Sequence, residues 1–156
     1  MINEESILLK KIKSSDKKAF KKIFYNYHDS LFRFVLYKTQ DADVAEDITQ
    51  ETFLRVWKTR SKLQPNKSFF SLIARISTNL CYDHFRHIEV RQRHESTIPT
   101  NSKSHYNNPE SITLANSLEK QIQQIVNNKL PEKCRHVFIL SRIEGLSNTD
   151  IAESLD

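Results

Sequence analysis

Residues 17–38, KKAFKKIFYNYHDSLFRFVLYK, decide the fold class. Phe20, Ile23, Phe24, Tyr27, Leu31, Phe34 and Val35 recur at steps of three and four, the period of a helix with one buried face. Asp16 stands just before the run, where a carboxylate accepts from the free N–H groups of a first helical turn. So aromatic a stripe needs other apolar faces around it, and the flanking sequence supplies them. Upstream, Asn3 to Lys13 reads as a short helix capped by Asn3, with Glu4 and Glu5 in its first turn and Ile7, Leu8 and Ile12 on one side. Downstream, after the polar break Thr39–Asp43, residues 44–60 set Ala45, Ile48, Thr52 and Val56 on an inward stripe, which Phe53 either joins or flanks. Ser68 then caps a fourth helix, reaching to about Val90, with an apolar face of Phe69, Leu72, Ile73, Ile76, Leu80 and Phe85.

Composition points the same way. The 156 residues contain one glycine, Gly145, and four prolines. That excludes the glycine-rich phosphate loops of dinucleotide and P-loop enzymes and leaves too few turn-formers for a many-stranded sheet. With 24 Lys+Arg against 19 Asp+Glu, the net charge is +5, a mildly basic balance. Cys81 and Cys134 lie far apart without zinc spacing and read as small buried hydrophobes in a reducing compartment. No apolar run approaches the roughly 18 residues that span a bilayer, and the N-terminus lacks the form of a secretory signal. The expectation is a cytoplasmic, all-α protein with no membrane insertion.

Residues 91–108 are almost devoid of apolar side chains and read as a flexible linker between an N-terminal unit, 1–90, and a C-terminal unit, 109–156. Pro109 opens a helix with Ile112, Ala115, Leu118, Ile122, Ile125 and Val126 at helix spacing. Pro131 opens another, with Cys134, Val137, Phe138 and Ser141 expected inward. Gly145 sits where a left-handed C-cap belongs, followed by apolar Leu146. Ser147 to Asp150 approximates a capping box, and Ile151, Ala152 and Leu155 begin a further stripe. Two helices joined through a glycine turn make the first half of a helix-turn-helix.

Two stretches go beyond pattern. Ala45-Glu46-Asp47-Ile48-Thr49-Gln50-Glu51-Thr52-Phe53-Leu54-Arg55-Val56-Trp57, with Arg75-Ile76-Ser77-Thr78-Asn79-Leu80 and Asp83-His84-Phe85-Arg86, resembles region 2 of bacterial extracytoplasmic-function (ECF) sigma factors of the sigma-70 family. Leu130-Pro131-Glu132-Lys133-Cys134-Arg135-His136-Val137-Phe138 and Glu144-Gly145-Leu146-Ser147-Asn148-Thr149-Asp150-Ile151-Ala152 resemble the run into the helix-turn-helix of their region 4. The resemblance implies a transcription initiation factor, not an enzyme, that binds core RNA polymerase and directs promoter recognition and opening.

Residue by residue, the resemblance implies two faces. Asp47, Gln50, Glu51 and Leu54 lie opposite Ala45, Ile48 and Val56. In the family the Gln-Glu pair docks the coiled coil of the largest polymerase subunit, with charge-assisted bonds to match. By pattern alone this is an ordinary solvated face, and Trp57 either flanks the contact or packs inward. On the fourth helix, Arg75, Arg86, His87 and Arg91 supply cations for promoter phosphates, while Asn79, Leu80 and Tyr82 are the candidates for a flipped-base pocket of the minus-ten element. Phe69, Phe70 and Phe85 are nearby aromatics, of which Phe69 and Phe85 also fit the core stripe. Arg86 stands three residues from Asp83, the spacing of a helix-surface pair. The family's Trp-Leu pair aligns here with Leu72-Ile73.

The resemblance also implies that the polymerase flap holds the C-terminal unit and that an anti-sigma factor is a partner. The linker is either a tether or a segment threading the polymerase channels. The sequence stops before the groove-reading helix. Upstream-element reading then lies in a continuation, or is delegated to a DNA-targeting partner docked on an exposed Ile151, Ala152 and Leu155 stripe. No catalytic residue, cofactor or metal site is expected; His84 and His87, one turn apart, read as a solvated basic helix end. The alternative reading is a helix-turn-helix regulator whose N-terminal bundle senses or dimerises.

Overall fold

A computed structural model describes residues 3–94 and 114–155. The N-terminal unit comprises α1 (Glu4–Lys13), α2 (Lys17–Thr39), α3 (Ala42–Lys58), a tight 3-10 turn (Arg60–Lys62) and α4 (Phe69–His94). The C-terminal unit comprises α5 (Leu114–Lys129), α6 (Glu132–Phe138), a π-helical turn (Ile139–Ile143) and α7 (Asn148–Leu155). Every regular element among the described residues is helical. Arg91–His94 prolong α4 rather than begin a linker, and the rest of the expected linker lies outside the described residues.

Local chemistry sets the helix starts. Each begins with backbone N–H groups that lack an intrahelical acceptor. Asn3 accepts from Glu5 N at 3.3 Å, Asp16 from Lys18 and Ala19 N at 2.8 and 3.1 Å, and Asp41 from Asp43 and Val44 N at 2.9 and 3.1 Å. Ser68 accepts from Ser71 N at 3.3 Å. Helix α2 stops at Gln40, whose left-handed φ of 55° turns the chain back. Such caps are each worth about 1 kcal/mol, enough to place a boundary but not to hold a bundle.

Burial of the α2 stripe holds it. Ile23, Leu31, Phe34 and Val35 are buried against Leu8, Leu9 and Ile12 of α1, Ala45, Ile48, Phe53 and Val56 of α3, and Phe69, Phe70 and Ile73 of α4. The Tyr27 ring meets Phe69 edge-on at 5.2 Å, and Phe24 meets Phe53 at 4.8 Å, geometries favoured by the ring quadrupole. Glu5 ties three helices at one point, accepting the Tyr27 hydroxyl and the Phe69 N–H. Thr49 and Thr52 are buried because each hydroxyl donates to the carbonyl one turn back, at 2.7 Å.

The C-terminal unit packs onto this bundle. Gly145 adopts φ 66°, and Leu146 N donates to Leu140 O at 3.0 Å, closing the turn as the sequence suggests. The Ser147 hydroxyl caps α7, accepting from Asp150 N at 3.2 Å and donating to the Asp150 carboxylate at 2.8 Å. Helix α7 lies along α4, where the Ser71 hydroxyl donates to the Asp150 carbonyl at 2.9 Å. Ile139, Leu140 and Ile151 join the same buried cluster as the N-terminal core.

Three expectations about faces are corrected. In α6 the inward residue is His136, with Ile139 and Leu140 beyond it, whereas Cys134 and Val137 face solvent. The surface available to α6 is the α2/α4 face of the bundle, and that surface selects the side that buries. In α4, Phe70 is buried and Phe85 is 39% exposed, the reverse of a core Phe85. The bundle ends before Phe85, so its ring meets the neighbouring His84 ring, edge-on at 5.7 Å, and no core side chain among the described residues covers it. In α1, Leu9 replaces Ile7 in the core. Ile23→Ala, at the centre of the α2 stripe, is expected to cost about 2–5 kcal/mol, measurable as a lowered midpoint in urea unfolding.

Candidate functional site

The outer face of α3 is exposed as a strip. Asp47, Gln50 and Leu54 stand in solvent, with Glu51 half-buried beside them. Neighbours one turn away hold the Gln-Glu pair in place. Gln50 Nε2 donates to Glu46 Oε1 at 2.9 Å, and Arg55 Nε donates to Glu51 Oε1 at 3.0 Å. With its nitrogen so engaged, the exposed Gln50 amide keeps a carbonyl oxygen able to accept.

Behind Glu46 stands His28 of α2. Its Nε2 lies 3.3 Å from Glu46 Oε1 and its Nδ1 3.0 Å from Asp29 Oδ1. The ring also stacks against Phe32 and leans on Phe24 at 5.1 Å. Burial pulls the His28 pKa down, but the two carboxylates outweigh it and raise the value above 6.5. No role for His28, Glu46 or Arg55 is legible in the sequence, although the Glu46–Gln50 and Glu51–Arg55 spacings are those of helix-surface pairs. Trp57 is half-buried, 5.0 Å from Phe20 and covered by the Arg60 guanidinium at 4.5 Å. Phe53 points wholly inward.

On α4, Asn79, Tyr82, Asp83, Phe85, Arg86 and Glu89 line one open cavity of about 420 Å³. Arg86 pairs with Asp83 at 3.9 Å. Tyr82 is 43% exposed, and its ring stands 6.0 Å from the Lys38 ammonium of α2. A hydrogen bond to Glu132, and then burial, push the Tyr82 hydroxyl up to about 12. Leu80 turns away from this cavity and packs on the core. Arg75 lines a second cavity of about 360 Å³, shared with Lys67, Leu72 and Glu153. His87 and Arg91 are exposed farther along α4. The cavity thus gathers Asn79, Tyr82 and Arg86, adds Phe85, and leaves out Leu80 and Arg75.

The expected docking stripe at the C-terminus is corrected. Ile151 is 5% exposed, covered by the chain's own N-terminal bundle, and only Ala152 remains in solvent; the Leu155 side chain lies outside the described ones. Apolar exposure lies elsewhere. Leu118, Ile122 and Ile125 of α5 are exposed, and Leu130, Cys134, Val137 and Phe138 line an apolar cleft of about 520 Å³ between Lys133 and Arg142. Among the described residues no cluster of metal-ligating side chains occurs, and no helix is long and apolar enough to cross a membrane.

Comparison with known proteins decides the family. The Sigma-70 region 2 family matches residues 23–90, and Sigma-70, region 4, matches residues 121–156. The chain is 30% identical to the ECF RNA polymerase sigma factor SigW of Bacillus subtilis, over 95% of this chain and 83% of that one. This chain belongs to the ECF sigma factors. It is therefore a transcription initiation factor of the sigma-70 family. The sigma-H factor of Pseudomonas aeruginosa is 23% identical, over 96% of this sigma factor and 81% of its own length. Two solved structures share the fold. CnrH, in complex with the cytosolic domain of CnrY, superposes with TM-score 0.71 at 20% identity, covering 98% of this chain and 83% of that one. RpoE of Bartonella quintana, in complex with the anti-sigma factor NepR, gives TM-score 0.68 at 21% identity, covering 88% and 83%.

The raised His28 pKa means that folding takes up a proton at this ring. The resulting stability is fully present below pH 6.5 and falls away as pH rises through the higher folded value. NMR titration of the His28 ring is expected to give a midpoint above 6.5, and His28→Gln is expected to flatten the decline in melting temperature between pH 6.5 and pH 8. A midpoint below the free-histidine value would show that burial outweighs the two carboxylates.

Proposed function

We propose that the exposed strip on α3 is the core-polymerase contact of this sigma factor and that the α4 cavity engages the opened minus-ten promoter strand. One observation carries the reading: Gln50 and Glu51, the pair at which the family docks polymerase, are each fixed by a neighbour one turn away. Side chains held in one geometry lose less entropy on binding, so the strip is preorganised. A partner surface rich in Arg and N–H donors matches an amide carbonyl and a carboxylate. Asp47 adds negative charge at the rim, and exposed Leu54 supplies apolar area within the strip. Trp57 supports the strip from its half-buried position.

In the α4 cavity, Asn79 offers a donor and an acceptor to a base edge, and Tyr82 and Phe85 offer ring faces to unstacked bases. Arg86, with His87 and Arg91 beyond it and Arg75 upstream, tracks the phosphates. None of these roles involves covalent chemistry or a cofactor, and the factor acts where chromosomal DNA is, in the cytoplasm. The apolar faces of α5 and α6 suit an amphipathic helix of a protein partner. The polymerase flap is the partner in the initiation complex. An anti-sigma factor, as NepR is for the RpoE of Bartonella quintana, is the partner in the inhibited state.

Gel filtration with bacterial core RNA polymerase tests the central claim. The parent chain is expected to coelute, and Gln50→Ala/Glu51→Ala to bind about 100-fold more weakly, as loss of paired interface hydrogen bonds predicts. Unaltered coelution of the double variant would place the polymerase contact elsewhere, and a parent that binds duplex DNA but no polymerase would support the helix-turn-helix regulator.

A further inference from the structure

His28 of α2 connects the buried core to the Gln50 amide on the outer face of α3. Its ring is held on two sides by its own helix, tilted on Phe24 at 5.1 Å and stacked on Phe32 at 6.4 Å with the planes 7° apart. Phe24 in turn meets the buried Phe53 of α3 edge-on at 4.8 Å, which fixes how far the imidazole reaches toward α3. There its Nε2 lies 3.3 Å from Glu46 Oε1, and that same oxygen accepts from Gln50 Nε2 at 2.9 Å. Three side chains from two helices thus share one carboxylate oxygen. The His28 side chain is 23% exposed against 40% for Glu46, so order runs from the packed ring outward.

A lone Glu–Gln pair one turn apart on a solvated helix face orders its side chains only weakly. Glu46 by itself would sample several rotamers, and the Gln50 amide would follow it. A hydrogen bond from a ring wedged between two aromatics removes that freedom at the carboxylate. We propose that His28 is a positioning residue of the polymerase contact: by donating to Glu46 through Nε2, it fixes the rotamer in which Gln50 presents its amide to the polymerase. This role rests on the polymerase-contact reading of the α3 strip, whereas the ordering of Gln50 in the free chain does not. The charged groups that face the ring are Asp29 of its own helix and Glu46 of α3. Asp29 is 87% exposed and turns readily to water, so the bond to Glu46 is the one that transmits order. Glu51 is held by Arg55 of α3 itself, 47% exposed. The Gln50 side of the pair is therefore tied to the core, and the Glu51 side to a solvated neighbour.

Three substitutions in the full chain separate a hydrogen-bonding role from a packing role. His28→Gln places an amide N–H near the position of Nε2, His28→Asn places one near Nδ1 and short of Glu46, and His28→Leu fills the space between Phe24 and Phe32 without a donor. The first readout needs no polymerase: the NMR signals of the Gln50 side-chain amide. The parent and His28→Gln are expected to show an ordered amide with a dispersed shift. His28→Asn and His28→Leu are expected to move it toward the shift of free glutamine, with greater mobility on the ps–ns timescale. A Gln50 amide unchanged by His28→Leu overturns the positioning.

The second readout is affinity for bacterial core RNA polymerase, titrated against the fluorescently labelled chain. His28→Asn and His28→Leu are expected to bind about tenfold more weakly than the parent and His28→Gln within about threefold of it, since a mobile contact group loses more entropy on binding. In the Gln50→Ala background, His28→Leu is expected to add less than about twofold, because a residue that acts through Gln50 then has nothing left to position. Equal weakening by all three His28 substitutions overturns the positioning and leaves His28 a packing residue. So does full addition of the His28→Leu loss to that of Gln50→Ala. If Gln50→Ala itself binds polymerase as the parent does, the strip reading fails and the docking role of His28 with it, a result distinct from the order of the Gln50 amide in the free chain.

Discussion

The buried face of α2 is the constraint from which the rest of the molecule follows. Its residues pack against α1, α3 and α4 together, and at its C-terminal end Phe34 also meets Phe70 and His136. One helix therefore fixes the relative placement of both candidate faces. The α3 strip faces outward because Ala45, Ile48, Phe53 and Val56 are spent on α2, and a helix that buries one side presents the other. The α4 cavity lies beyond the point where the bundle stops covering that helix, which is why Phe85 has no packing partner in the core.

Electrostatics then divide the surface by role. Polar groups of the α3 strip sit in solvent with neighbours that orient them, where an ion pair contributes little stability but a fixed geometry favours binding. Against the C-terminal unit the polar groups are desolvated instead. Burial, with the Lys38 charge added, pushes the His136 pKa down to about 4, so the ring is neutral at physiological pH and able to accept from Lys38. Burial raises the Glu144 carboxyl against the pull of Arg33 and Ser30. The two shifts act on this packing in opposite senses. Acidification charges the His136 ring and loosens the contact, while it neutralises Glu144 and tightens it.

The family matches and the helix caps rest on local chemistry, and local chemistry is legible in a sequence. Asp16 and Ser68 cap where their spacing predicts, Gly145 takes the left-handed turn, and the Ser147 hydroxyl caps Asp150 N, the first half of a capping box. The Gln50–Glu51 strip was legible too, because α3 has only one apolar side. Less could be read where a helix has two plausible faces. In α6 and the π-helical turn after it, Cys134, Val137 and Phe138 make as good a stripe as His136, Ile139 and Leu140, and periodicity carries no information about which one meets the bundle.

The sequence alone therefore determined the helical class, the starts of α1, α2, α4 and α7, the ECF sigma resemblance and the polar face of α3, since each depends on residues within a turn or two of one another. Helix α3 starts two residues before the expected 44, because Asp41 rather than a later residue caps it. Tertiary structure decided the rest. It brought Lys38, Tyr82, Glu132 and His136 together from α2, α4 and α6, exposed Phe85 while burying Phe70, and covered Ile151 with α4 rather than leaving it free. Those outcomes depend on which surfaces remain uncovered once the bundle has formed, and that is a property of the packed molecule rather than of any stretch of chain.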